Sequence, residues 1–153
     1  MTVERTALAE LLLEQAPDAV VFAGTDGMIQ TWNAAAEAMF GYPAGEAIGQ
    51  SLDIIIPEAF RDAHWKGFDR ALEAGDTKYR GRALPTKANR AGGETFYVEL
   101  SFAIVHDGSG AVIGALAHAR DITARFEQDR TTRRRLRELE AELATLKDGQ
   151  ASG

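Results

Sequence analysis

Apolar and polar residues alternate strictly between Thr95 and Val105. Phe96, Val98, Leu100, Phe102 and Ile104 fall on one side, and Tyr97, Glu99, Ser101 and Ala103 on the other. A period of two predicts a strand with one buried face. Two shorter apolar runs, Ala19 to Ala23 and Met28 to Trp32, flank Asp26-Gly27. That turn pair between β-rich runs predicts a hairpin. Ala111 to Ala119, after the turn Asp107 to Gly110, predicts the last strand. A further strand is expected near Tyr79 to Leu84, where Pro85 would end it, followed by a loop from Asn89 to Gly93.

Between the first two strands and the last three the period changes. Asn33 is a good helix N-cap for Ala34 to Phe40, and Gly41 closes that helix. Pro43 and Gly49 bracket another short helical stretch, and Ser51 to Glu58 is a compact apolar segment. Ala59 to Ala74 predicts a longer helix. Phe60, His64, Gly67, Phe68, Ala71 and Leu72 form one stripe, with Arg61, Asp62, Lys66, Asp69, Arg70 and Glu73 on other faces. Helices gathered in the middle of an antiparallel strand order predict an α+β fold.

The two ends read differently. Residues 3–15 predict an amphipathic helix carrying Leu8, Leu11 and Leu12, stopped by Pro17. From 122 to 147 the chain is charged and free of Gly and Pro, and Leu136, Leu139, Leu143 and Leu146 step by three, four and three. That spacing is a coiled-coil seam of two heptads. Ile122 occupies the same heptad position fourteen residues earlier, while Asp129 and Thr132 weaken the heptad between. The predicted organisation is an N-terminal cap helix over 1–16, a globular domain over 17–123, a coiled-coil helix over 124–147 and a disordered tail over 148–153. The two sets of leucines predict a homodimer.

Length and charge narrow the chemistry. The chain has 153 residues, 45% of them hydrophobic, a net charge of −6 and no cysteine. One core is affordable at this size. Without cysteine there are no disulfides, thiolate metal sites or cysteine nucleophiles. No apolar run approaches the ~20 residues of a membrane helix, and the N-terminus lacks the features of a signal peptide, so a cytoplasmic protein without membrane contact is expected. No phosphate-binding loop, nucleophile elbow or metal-ligand pair predicts an enzyme. Arg130, Arg133, Arg134, Arg135 and Arg137 form a basic run without interleaved aromatics, and Glu138, Glu140 and Glu142 follow directly. A solvated helix face, not a nucleic-acid surface, is the reading.

Taken in order, several short motifs resemble the PAS family of sensor domains. They are Ala16-Pro-Asp-Ala19, Asp26-Gly27, Trp32-Asn33, Ala36-Glu37 with Phe40-Gly41-Tyr42, Ile48-Gly49, Ile56-Pro57-Glu58, and Arg61-x-x-His64-x-x-Gly67. Phe96-x-Val98-Glu99-Leu100-Ser101 and Arg120-Asp121-Ile122-Thr123 complete the set. The resemblance covers about Leu11 to Thr123. It implies a five-stranded antiparallel sheet with helices across one face. It also implies a relay in which Asp121, Ile122 and Thr123 hand the last strand over to a signalling helix, the Asp121 carboxylate being placed to cap it. No catalysis is implied, and output would pass through a downstream signalling protein.

Within the family, the haem-binding oxygen sensors carry their proximal histidine in a similar Pro-Glu-x-x-Arg-x-x-His context, which maps to His64. An arginine six residues on, for a propionate, maps to Arg70. Lys78 stands where another propionate contact would be. The distal arginine of that subgroup would fall at Leu84, with Arg80 and Arg82 nearby but out of register. Period two places Ala115, Ala117 and Ala119 on one face of the last strand and Leu116 and His118 on the other. The resemblance turns the alanine face towards the helices, opposite Val98, Leu100 and Phe102. The implied pocket is lined by Phe60, His64, Gly67, Phe68, Arg70, Leu84, Leu100, Phe102, Ala117 and Ala119. The implied cofactor is b-type haem with His64 on the iron; the alternatives are another small molecule or none. The plain reading of His64 is a hydrogen-bonded core histidine, and the plain reading of the whole is a cofactor-free PAS dimerisation and interaction module. Trp32 is expected in the core, Trp65 at the surface or an interface, and His106 and His118 away from the pocket. A flavin photoadduct would need a pocket cysteine, and there is none.

Overall fold

The computed structural model describes residues 3–79 and 81–151. They form two compact units, one ending at Asp121 and the other beginning at Ile122. The first contains α1 (Arg5–Glu14), β1 (Ala19–Gly24), β2 (Ile29–Trp32), α2 (Ala34–Phe40), α3 (Ala44–Ala47), two 3-10 turns (Leu52–Ile55 and Glu58–Phe60), α4 (Arg61–Ala74), β3 (Leu84–Asn89), β4 (Thr95–His106) and β5 (Val112–Asp121). The second is a single 29-residue helix, α5 (Thr123–Ala151).

The strands make one antiparallel sheet in the order β2-β1-β5-β4-β3. The first strand and the last thus lie side by side within it. β1 pairs with β5 from Ala19↔Ala119 to Gly24↔Gly114, and β4 pairs with β5 through Leu100↔Ala119 and Phe102↔Ala117. Directly opposed residues share a face. Ala115, Ala117 and Ala119 therefore stand with Val21, Val98, Leu100 and Phe102, as the alternation predicts. The core fills one end of that face. Ala19, Val21, Ile29, Trp32, Ala88, Phe96, Val98 and Ala119 pack there against Ala36 and Phe40 of α2 and Ala47 of α3. The Phe40 ring meets Trp32 at 5.3 Å and Phe96 at 5.7 Å between centroids.

Local chemistry explains the entry to this core. Asp26 Oδ1 accepts from the Met28 N–H at 2.9 Å and fixes the β1–β2 turn. Asn33 Oδ1 accepts from Ala36 N at 3.0 Å, the predicted N-cap. Gly41 takes the left-handed conformation that ends α2, at φ 85°. The two sheet edges are finished differently. At β2 the Ile29 N–H donates to Gln50 O and the Ile29 carbonyl accepts from Gly49 N, both at 2.8 Å. At the other edge, β3 contains Pro85, opposite Glu99.

Several expectations shift. The third strand begins at Leu84, where it was expected to end. Pro85 sits inside it, which an edge strand tolerates because one side of its backbone faces no neighbour. Asn89 closes this strand instead of opening a loop. The helix expected over 59–74 opens as a 3-10 turn and becomes α-helical at Arg61. Four residues of the expected disordered tail, 148–151, continue α5, and the last two lie outside the described residues. No described helix is long and apolar enough to cross a membrane.

Candidate functional site

α4 packs against β5, beside the part of the inner face that lies beyond the fully buried core. There Leu84, Leu100, Phe102, Ala115 and Ala117 are only partly buried, whereas Val98 and Ala119 are fully buried. Leu84, Leu100 and Ala119 form one cross-strand row, and Phe102 and Ala117 the next. The sheet residues named for the implied pocket thus share one face in neighbouring rows, with small residues on β5.

The helix side is assembled in part. His64 and Phe68 lie one turn apart with ring centroids 6.0 Å apart, and Trp65 closes the group at 4.7 Å from His64 and 5.2 Å from Phe68. Phe68 is buried. Phe60, Gly67 and Arg70 are exposed and stand outside this group, because the 3-10 entry shifts Phe60 off the inward stripe. A Cβ at Gly67 would meet nothing within 4 Å, so this glycine does not mark a close approach. Of the arginines weighed for the pocket, Arg82 is exposed and Arg80 lies outside the described residues.

Trp65 departs from its expected surface role. Its Nε1 donates to Asp53 Oδ1 at 2.8 Å. Its six-membered ring covers Gly27, where a Cβ would come within 2.5 Å of it. Gly27 also has φ 78°, so the β1–β2 turn needs glycine for both reasons. Arg61 donates to the carbonyls of Ile56 at 3.1 Å and Asp53 at 3.3 Å. These bonds dock the start of α4 on the segment before it and fix where His64 sits.

His64 Nδ1 is buried with no hydrogen-bond partner among the described residues. The expectation of a hydrogen-bonded core histidine therefore fails at this nitrogen. Burial lowers the imidazole pKa below 6.5, and the Asp53 carboxylate opposes that shift only in part. The folded state holds His64 neutral while the unfolded chain titrates near 6.5. Unfolding then takes up a proton as the pH falls below that value, so stability is complete above it and declines towards the lower folded pKa. The melting temperature is expected to fall between pH 7.5 and 5.5, and His64→Phe should flatten that slope. An unchanged slope in the variant would remove His64 as its source.

At the far end of β5, a second cluster lies where the globular unit ends. Asp121 is the last residue of β5 and Thr123 the first of α5, with Ile122 between them. The Ile122 carbonyl accepts from Phe126 N at 2.8 Å and opens the helix ladder. Arg90 Nη2 donates to Asp121 Oδ2 at 2.9 Å, its guanidinium lies 3.7 Å from the Phe96 ring centre, and its Nη1 donates to the Met39 carbonyl. Ala91 N donates to the Phe40 carbonyl at 2.8 Å. The β3–β4 turn thereby satisfies the last carbonyls of α2 and holds the end of β5 with one side chain. Arg120 clamps the other side of β5, donating through Nε and Nη2 to the two oxygens of Asp18, each at 3.1 Å.

Two residues have structural roles that the sequence did not show in full. Arg90 is 31 residues from Asp121, and nothing local to Asn89-Arg-Ala-Gly-Gly93 announces the pairing. Asn33 read as a cap and no more. It is 1% exposed, and besides Ala36 N it accepts from Val20 N at 2.9 Å and donates to Leu13 O at 3.0 Å and Asp18 O at 3.1 Å. Among the described residues no three His, Asp or Glu side chains gather as a metal site.

Such a sheet, with helices over one face and its last strand running to a long helix, defines a sensory signalling domain. A PAS fold family model matches residues 13–127, and the chain belongs to the PAS family. It is 31% identical to the sensor protein FixL of Bradyrhizobium diazoefficiens over 142 residues, which is 93% of this chain and 27% of FixL. It is 26% identical to the oxygen sensor protein DosP of Escherichia coli, covering 79% of this chain and 15% of DosP. A PAS domain from Colwellia psychrerythraea superposes with a TM-score of 0.69 at 21% identity, over 79% of this chain and 99% of that one. The chain therefore spans about a quarter or less of the curated relatives it matches.

Proposed function

We propose that this chain is a non-catalytic, homodimeric sensor module that binds a small, largely apolar ligand between α4 and the alanine face of β5. It relays occupancy through β5 to α5 and on to a downstream signalling protein. The observation that carries the reading is the buried His64 Nδ1, without a hydrogen-bond partner among the described residues, on the helix that packs against β5. A buried nitrogen without a partner costs about 1–3 kcal/mol, and a ligand group bonded to the imidazole would remove that cost. Both the alanines and the aromatic edge formed by Phe68 and Trp65 favour a flat apolar body.

Haem b is the candidate ligand. A neutral imidazole in apolar surroundings fits an axial iron ligand, and one relative is named as an oxygen sensor. Haem would supply the gas- or redox-responsive centre. His64 would hold it, and Leu84, Leu100, Phe102 and Ala117 would exclude water from it. Leu84 brings no donor to the opposite side, so any polar help to a bound gas would come from another residue. A second reading, a cofactor-free association module, is favoured by the mutual stacking of His64, Trp65 and Phe68, which fills part of the space without a ligand.

Purified protein titrated with haemin separates the two. A Soret band that forms in the parent and is lost or shifted in His64→Ala supports haem. Protein that stays colourless with excess haemin, and whose melting temperature no small molecule raises, supports the association module.

A further inference from the structure

The second unit is one helix with its leucines in solvent. Leu136, Leu139, Leu143 and Leu146 are 56%, 45%, 53% and 65% exposed. Placing them at a, d, a and d of two heptads puts Arg135 and Glu142 at g, and Glu140 and Lys147 at e. In a parallel, in-register pair each g residue lies beside the e residue five places on in the second copy. Arg135 then meets Glu140 of the second copy, and Glu142 meets its Lys147. Symmetry repeats both, so four opposite-charge pairs flank the seam.

The antiparallel alternative fails the same arithmetic. If the four leucines are superposed head to tail, positions e and g face their own kind. At the centre Glu140 then lies beside Glu140 of the second copy, and Glu142 beside Glu142. Like charges at this range destabilise. Arg130, Arg134 and Arg137 fall at b, f and b, on the outer face in either arrangement, and take no part. In the single chain Arg135 pairs with Glu138, at 3.2 Å with both side chains more than half exposed. A surface pair of that kind is worth little and is readily exchanged.

We infer that Arg135, Glu140, Glu142 and Lys147 form an orientation code that docks α5 on α5 of a second copy, parallel and in register. This rests on the homodimer reading above and adds which residues choose the geometry. Two heptads of leucine are too short to be indifferent to it. Four opposite-charge pairs in the parallel arrangement, against two like-charge contacts at the centre of the other, decide between the two.

The absence of cysteine gives a clean test in the full chain. Gly149→Cys, at an exposed g position clear of the leucines, is labelled with pyrene, and mass is followed by light scattering. Parallel pairing brings the two labels together and gives excimer emission from the dimer. Antiparallel pairing separates them by about sixteen residues of helix, roughly 24 Å. Arg135→Glu should raise the dimer dissociation constant about tenfold and reduce the excimer, and adding Glu140→Arg should restore both. A dimer without excimer, or a swap that restores nothing, overturns the code while leaving the dimer standing. A chain that scatters as a monomer at micromolar concentration overturns both.

Discussion

Asn33→Ala is expected to lower the stability of the globular unit by about 3–4 kcal/mol, which corresponds to roughly 10–20 °C in melting temperature. The side chain satisfies four backbone groups at once: the N–H groups of Val20 and Ala36, and the carbonyls of Leu13 and Asp18. Loss of an ordinary cap costs about 1 kcal/mol. Here the truncation also leaves the buried Val20 N–H without its acceptor and removes the donor to the Leu13 and Asp18 carbonyls, the first of which keeps a bond from Ala16 N. The variant Asn33→Asp separates the two halves of the effect. It keeps both acceptor bonds and turns an oxygen towards two carbonyls, so it should weaken the hold on the end of α1 while α2 stays capped. Thermal unfolding measures the first effect, and hydrogen exchange across residues 5–20 the second. A loss below about 1 kcal/mol in the alanine variant would mean that water replaces the side chain at no cost.

Gly114→Ala is the second large effect, with an expected loss of about 3 kcal/mol. β1 and β5 pair down to Gly24↔Gly114. A Cβ at 114 would overlap the Ala23 carbonyl oxygen and come within 2.6 Å of the Phe22 ring. The ring can turn away, but the carbonyl belongs to the ladder and moves only if the two central strands part. Replacing a strand glycine by alanine otherwise gains about 0.5–1 kcal/mol, so the sign alone is informative. Adding Phe22→Leu should recover little. Recovery by that second change would show that the ring, not the strand pairing, is the obstacle. Because β5 continues to α5, the parted strands should also raise exchange at Leu116 to His118.

The fold was legible where local chemistry and periodicity point the same way. Asp26-Gly27, Asn33 and Gly41 each need a particular residue type for a reason that acts over a few positions, and each appears where expected. The alternation from Phe96 to Ile104 gave the correct buried face. The edge strand was misplaced because Pro85 reads as a breaker in sequence and only its edge position excuses it. On the helix, the 3-10 start over Glu58–Phe60 sets the phase of the stripe. Phe60 therefore seemed to share a face with His64 and does not, whereas Gly67 lies at the exposed edge of the stripe and Arg70 was brought to the pocket only by the resemblance. Arg90 was hidden for a different reason. Its partners, Met39, Phe96 and Asp121, come from three elements, and such a meeting has no signature in any window of the chain. Trp65 looked like a surface residue since the glycine it covers lies far away in sequence.

The two rims of the sheet each carry a local interruption of the edge backbone. At Ile29 the amide and carbonyl are already taken by the segment from Gly49 to Gln50, and at the opposite rim Pro85 has no amide to lend. Each device opposes growth by strand addition, the route to filaments and amyloid, at its own rim.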